Sequence, residues 1–227
     1  MLWLKTLIGI LLQAIFLALF IYVPAGTLYW SDALIWAVVF YAINSAACIY
    51  LLLTKPESIE ARLNLPSANQ PKEDKLATTV LFSAIAISLI ACPLDVFHLQ
   101  VTAAFTGTLK ILGLAVFVLG LFLIIASMAA NEFAESTVNL QKDRGQKLVD
   151  KGVYGLVRHP MYTGFLLFFV GTSLWLGTVL SLFICIISMA FGLFFRIRIE
   201  EKTLLEGLDG YEEYIEKVKF KLIPFVI

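Results

Sequence analysis

The chain has 227 residues, 60% of them hydrophobic and 15% charged, with a formal net charge of zero. Soluble domains carry about 25% charged residues, so polar side chains are too few here to cover a water-exposed globule. The neutral balance supplies no basic field for nucleic acid, and two histidines without a clustered partner, His98 and His159, fall short of a catalytic metal site.

Uncharged apolar runs define the elements. Thr6–Val23, Ala33–Leu53, Leu76–Leu94 and Ile111–Ala130 are each about 18 to 21 residues long, the length of one bilayer crossing. Lys5 and the small residues Ala25 and Gly26 give the first run some likeness to a signal peptide. It exceeds the usual apolar length of such peptides and reads as a retained span. The loop Thr54–Lys75 contains Pro56, Pro66 and Pro71 with mixed charge, and reads as an irregular or partly helical connector. Cys48, Cys92 and Cys185 stand apart in apolar stretches with no CxxC, so neither a disulfide framework nor a zinc site is expected.

The last apolar run, Met161–Phe195, has 35 residues. As one helix it would reach about 52 Å, well beyond a ~30 Å hydrocarbon core. Gly177-Thr178 near its middle predicts a tight helical hairpin with two short spans. The expected fold is therefore all-α: a polytopic membrane bundle of about six helices. Residues 1–130 form four N-terminal spans, and residues 131–227 form a C-terminal region around the hairpin. Charge supports this count independently. With six spans, all but Lys110 of the 17 Lys and Arg residues fall on one side. By the positive-inside rule that side, with both termini, is cytoplasmic. The compact chain suggests a prokaryotic inner membrane.

Two polar segments flank the hairpin. One runs Asn131–Arg158 and leads into Gly152-Val153-Tyr154 and Arg158-His159-Pro160-Met161-Tyr162-Thr163-Gly164. The other is Arg196-Ile197-Arg198-Ile199-Glu200-Glu201. The hairpin returns the chain to the same face, so these segments are expected to meet. Within the second, Arg196 and Glu200 are i,i+4 and Arg198 and Glu201 are i,i+3, spacings that pair charges on a helix. Two readings stand: interfacial charges that snorkel and pair among themselves, or a polar cleft for a charged ligand. Pro160 suits a first helical turn. That puts His159 at a helix N-terminus whose backbone N–H groups would suit a carboxylate. Leu204, Leu208, Tyr211, Ile215 and Val218 have helical spacing and predict an amphipathic surface helix, with Gly207 and Gly210 as possible breaks.

These residues resemble the isoprenylcysteine carboxyl methyltransferases. The resemblance rests on Gln146-Lys147-Leu148-Val149, Gly152-Val153-Tyr154, Arg158–Gly164, Arg196 with Glu200-Glu201, and Gly210-Tyr211 with Tyr214. It covers roughly Asn131–Pro224. A similar RHPxY stretch occurs in membrane sterol reductases, and the added Glu-Glu distinguishes the methyltransferase pattern. The resemblance implies an integral membrane methyltransferase using S-adenosylmethionine. It assigns Gln146, Lys147, Leu148, Val149, Tyr154, His159, Pro160, Met161, Tyr162 and Glu200 to the cofactor, and turns Arg196 toward substrate. Family members often have histidine where this chain has Gln146. Gln141 stands near an upstream cofactor-contacting glutamine, at a shifted spacing.

Elementary chemistry agrees. Glu200 and Glu201 suit a positive sulfonium and ammonium, and Arg196 suits a bidentate carboxylate. Arg196, Glu200 and Glu201 are the expected catalytic residues. A carboxylate acceptor needs no general base. An amine or thiol does, and Tyr162, Glu201 or water would have to serve. The expected partners are the bilayer and a hydrophobic or lipid-like substrate, with no metal and no nucleic acid. An NADPH-dependent membrane reductase, a phospholipid amine N-methyltransferase and a non-enzymatic scaffold or carrier are the competing readings.

Overall fold

The computed structural model describes residues 1–63, 72–134, 140–141 and 144–225. Pro66, Pro71 and Lys142 of the expected loops lie outside them. Eight α-helices are described: α1 (Leu2–Ala25), α2 (Ser31–Thr54), α3 (Pro56–Leu63), α4 (Lys72–Leu94), α5 (Gly107–Ala130), α6 (Pro160–Leu176), α7 (Val179–Gly207) and α8 (Tyr211–Lys217). A π-turn follows α4 and a 3-10 turn at Gly152–Gly155 precedes α6. Among the described residues, five helices are long and apolar enough to cross a membrane: α1, α2, α4 with its π-turn, α5 and α7. The chain is an integral membrane protein with a polytopic helical fold. Large apolar side chains such as Leu12, Val38, Phe122 and Ile187 cover the outside of the bundle, where lipid rather than water is the compatible solvent.

The expected spans are the cores of these helices. Lys5, Asp32, Lys75 and Lys110 all lie inside helical ends, because a terminal turn reaches the interface and tolerates charge. The hairpin turns where expected, at Gly177-Thr178. Thr178 caps α7: its Oγ1 accepts from Ser181 N at 3.2 Å, and Ser181 Oγ accepts from Thr178 N at 2.7 Å. The expectation of two short arms is corrected. α6 has 17 residues and α7 has 29. α6 reaches about 26 Å and α7 about 43 Å, so α7 projects past the hydrocarbon and carries Arg196–Glu201 in its last turns.

α5 and α6 pack backbone to backbone. Gly113 and Gly120 on α5, and Gly164 and Gly171 on α6, recur every seven residues along their shared seam. A Cβ on Gly171 would run into the backbone of Phe117, and one on Gly120 into that of Phe168. Such close approach maximises van der Waals contact where lipid offers no hydrophobic drive between helices. The seam holds the short, largely buried α6 in place. α4 and α7 form the second close pair.

The two ends of the bundle differ. At one, Lys110 on α5 pairs with Asp32 on α2 at 2.6 Å and lies over the Trp175 ring of α6. There His98 Nε2 also meets Pro24 O at 2.7 Å, and buried Asp95 accepts from Val101 N, Thr102 and Thr178. The other end gathers the start of α4, the start of α6, the end of α7 and α8.

Gly171→Leu is expected to lower the apparent melting temperature of the detergent-purified protein by roughly 5 °C or more, since overpacking costs ~1–3 kcal/mol even where side chains, rather than backbone, must yield. Leu119→Ala, on the exposed face of α5, should leave it within about 2 °C. Equal melting of the two variants would refute the seam.

Candidate active site

The site is built outward from α6. Pro160 opens this helix at its first position, with His159 as N-cap. The amides of Arg158 and His159, just ahead of the helix, are already paired. They donate to Phe220 O and Lys221 O, both at 2.9 Å, and Thr163 Oγ1 donates to Leu222 O at 2.7 Å. The C-terminal segment 218–222 is thus a strap laid across the approach to α6.

Glu201 anchors the same junction. Its Oε1 accepts from Arg158 Nε at 2.8 Å and lies 3.2 Å from His159 Nε2, and its Oε2 accepts from Lys221 Nζ at 2.6 Å. Arg158 also donates through Nη1 to Val218 O and Lys219 O, at 2.7 and 2.9 Å. Arg158, His159 and Glu201 are all buried. Desolvating an isolated carboxylate or guanidinium costs several kcal/mol, and here each finds charge-assisted partners. The two polar segments therefore meet as expected, but by tertiary pairing. Arg198 is exposed and does not hold Glu201 within α7.

Arg196 and Glu200 likewise do not pair directly; Tyr162 stands between them. Arg196 Nε donates to Tyr162 Oη at 3.1 Å, and Tyr162 Oη donates to Glu200 Oε2 at 2.5 Å. Arg196 Nη1 bonds Asp74 Oδ1 at 2.5 Å and Thr78 Oγ1 at 2.9 Å. Asp74 and Arg196 are almost fully buried. Sequence reading missed Asp74 and Thr78, because nothing in the first two turns of α4 marks them as partners of a residue 122 and 118 positions away.

Between these groups lies a cleft of about 780 Å³, its open mouth included. The irregular segment Gln146–Val149 forms one wall, Tyr154 and His159–Tyr162 a second, and Arg196, Glu200 and Leu204 of α7 a third. Tyr211 and Tyr214 of α8 close the base with Leu148 and Leu208. Tyr214 Oη donates to Tyr154 O at 2.7 Å and clamps α8 to the 3-10 turn. Burial pushes the Tyr154 phenol up to about 12, so it is neutral at physiological pH.

Eleven of the thirteen expected site residues line this cleft. Glu201 and Gln141 stand behind its wall. Gln141 N donates to Gln146 Oε1 at 2.8 Å and Gln141 Nε2 to Phe133 O at 2.7 Å, which shapes the wall without facing the cavity. Asn131, Phe133, Leu204, Leu208, Tyr211 and Tyr214 line the cleft without having been singled out for it. Leu204–Val218 is not one surface helix. α7 ends at Gly207, and Gly210, at φ 78°, starts α8 afresh. That break folds the apolar stripe back under the cleft.

Wall charges are unevenly matched. Arg158 faces Glu201, and Arg196 faces Asp74. Glu200 has, among the described residues, no Lys or Arg within 4.0 Å; its neighbours are the Tyr162 phenol and, at 3.9 Å, His159 Nδ1. The cleft thus offers a carboxylate to a positive ligand. No group of three or more His, Cys, Asp or Glu suited to a metal occurs among the described residues.

Residues 108–208 match the family model of phospholipid methyltransferases. Over 151 residues the chain is 33% identical to the protein-S-isoprenylcysteine O-methyltransferase of Saccharomyces cerevisiae, covering 63% of each chain. It is 35% identical over 104 residues to that of Schizosaccharomyces pombe, covering 44% of this chain and 43% of the relative. It is 34% identical over 122 residues to protein-S-isoprenylcysteine O-methyltransferase B of Arabidopsis thaliana, covering 50% and 58%. Over these intervals the chain is similar to isoprenylcysteine carboxyl methyltransferases. Each match spans less than two thirds of the relative's length. The matched interval of the family model contains every expected site residue and ends before α8, whose Tyr211 and Tyr214 line the cleft. The family implies a methyl donor.

Glu201→Ala leaves Arg158 buried beside an empty partner position, and is expected to lower stability by roughly 3–5 kcal/mol. Lys221→Ala, at a half-exposed side chain, should cost under ~1 kcal/mol. Thermal melts of the two variants compare these directly; indistinguishable melts would contradict the junction's role.

Proposed function

We propose that this protein is a membrane methyltransferase that uses S-adenosylmethionine to esterify the carboxylate of a hydrophobic, lipid-like acceptor. The observation that carries the reading is Glu200, a cleft carboxylate with no Lys or Arg within 4.0 Å among the described residues, set in a wall where Arg158 bonds Glu201 and Arg196 bonds Asp74. A ligand with a sulfonium and an ammonium supplies the missing charge. A dinucleotide phosphate would meet Glu200 with its own negative charge, which disfavours the reductase reading, and the named relatives are methyltransferases.

The lining of the cleft suits such a cofactor chemically. Glu200 would face its positive groups, Tyr154 and the apolar Leu148, Val149 and Met161 its nucleoside, and Gln146 and Lys147 the mouth. Bound there, it would supply an electrophilic methyl group. Arg196 would hold the acceptor carboxylate, with Asp74 fixing the guanidinium and Tyr162 linking it to Glu200. A carboxylate oxygen attacks without prior deprotonation, so positioning and exclusion of water do the catalytic work. Arg196 begins about 26 Å along α7 from its far end, near the edge of the hydrocarbon, where a lipid-like acceptor would present its polar end. By the positive-inside rule, the cleft and both termini face the cytoplasm. The family model's description as phospholipid methyltransferase makes a headgroup amine the second acceptor to test.

The test is incubation of the protein in lipid nanodiscs with methyl-labelled S-adenosylmethionine and either an S-prenylated cysteine bearing a free carboxylate or phosphatidylethanolamine. Label should enter the prenylated carboxylate as a base-labile ester. Glu200→Gln should weaken cofactor binding roughly 30-fold, the size of one charge-assisted contact. Label in phosphatidylethanolamine alone, or unchanged binding by Glu200→Gln, would overturn the reading.

A further inference from the structure

Tyr211 is 97% buried, with 3% of its surface exposed, and it lines the cleft at the start of α8. Its hydroxyl is buried and has no hydrogen-bond partner among the described residues. The neighbouring Tyr214 shows the contrast: its hydroxyl is satisfied by Tyr154 O at 2.7 Å. Buried hydroxyls are nearly always paired, because an unpaired one loses its bond to water and gains nothing in return. Gly210 gives α8 its start and Tyr214 pins the helix to the 3-10 turn, so the Tyr211 ring is held in place rather than swung out to solvent.

The hydroxyl feels the charges of Glu201, Glu200 and Arg158. Burial, reinforced by the two carboxylates, pushes the phenol far above the ordinary tyrosine value. The group is therefore a neutral donor at physiological pH. An anionic ligand group would be repelled from beside Glu200 and Glu201. A neutral acceptor, such as a ribose hydroxyl oxygen or an adenine ring nitrogen, would not.

We propose that the Tyr211 hydroxyl is a cofactor-binding donor, which hydrogen-bonds a neutral acceptor on the nucleoside part of the bound cofactor. This inference rests on the cleft being the S-adenosylmethionine site. It also explains why a polar atom is retained there: the unpaired hydroxyl destabilises the ligand-free protein, and binding relieves that penalty.

Tyr211→Phe removes only this oxygen. Two calorimetric titrations, with S-adenosylhomocysteine and with 5′-methylthioadenosine (which lacks the amino-acid portion), are compared with melts of the ligand-free protein. The variant should bind both ligands about tenfold more weakly, by similar factors, while its ligand-free melting temperature rises by about 2 °C or more. Tyr214→Phe, which breaks an existing bond, should instead lower that temperature. Tyr211→Phe binding within twofold of wild type, or melting below wild type as Tyr214→Phe should, would overturn the inference alone. Loss of affinity for S-adenosylhomocysteine only would place the acceptor on the amino-acid portion and overturn it as well. A wild-type protein that binds neither ligand would overturn the cofactor reading and this inference together.

Discussion

A buried carboxylate must find charged or hydrogen-bonding partners or stay out of the protein interior, and Glu201 meets that demand with Arg158, Lys221 and the His159 ring, from two separate parts of the chain. Arg158 and His159 come from the approach to α6, and Lys221 comes from the C-terminal strap. The helix that carries Glu201 also carries Arg196 and Glu200, so one charge-balance problem fixes the relative placement of α6, α7 and the strap. The strap's carbonyls then take the amides of Arg158 and His159, just ahead of α6. The cleft is the space that remains in front of this junction.

Membrane immersion explains why the junction sits where it does. The hydrocarbon excludes charge along the middle of every helix, and α7 is long enough to carry its charged turns past that layer. α6 is not, and its shortness sets its first residue level with the late turns of α7. The glycine seam with α5 lets so short a helix remain buried. Asp74 brings α4 to the same level and couples the N-terminal half of the protein to Arg196. Trp36 on α2, which donates through Nε1 to Thr172 on α6 at 3.0 Å, makes a second such link within the bundle. The N-terminal helices thus act on the cleft by holding α6 and α7, even where they carry no recognisable motif.

Much of this was legible in the residues. An uncharged run too long for one crossing, with Gly177-Thr178 at its centre, located the hairpin, and the hairpin implied that Arg158-His159 and Arg196–Glu201 share one face. Helical spacing was less informative about pairing. The i,i+4 relation of Arg196 to Glu200 holds geometrically, yet both side chains bond Tyr162, because a buried charge gains more from a fixed tertiary donor or acceptor than from a flexible neighbour on its own helix. Asp74, Gln141's place behind the wall and the strap over α6 depend on contacts between distant segments, for which a single sequence carries no signal. Tyr211 could have been suspected from its proximity to Gly210, but only the packing of α8 under the cleft shows that its hydroxyl is unpaired.

The central claim is spatial: the space between Gln146–Val149, the start of α6 and Glu200 holds the cofactor, with the Glu201 junction as its back wall. A cryo-electron microscopy structure of the protein saturated with S-adenosylhomocysteine tests it most directly. The account predicts ligand density in that cleft, with the amino-acid portion beside Glu200, the nucleoside within reach of the Tyr211 hydroxyl, and Glu201 still bound to Arg158 and Lys221. Density at any other site, or a ligand that displaces Arg158 from Glu201, would contradict it.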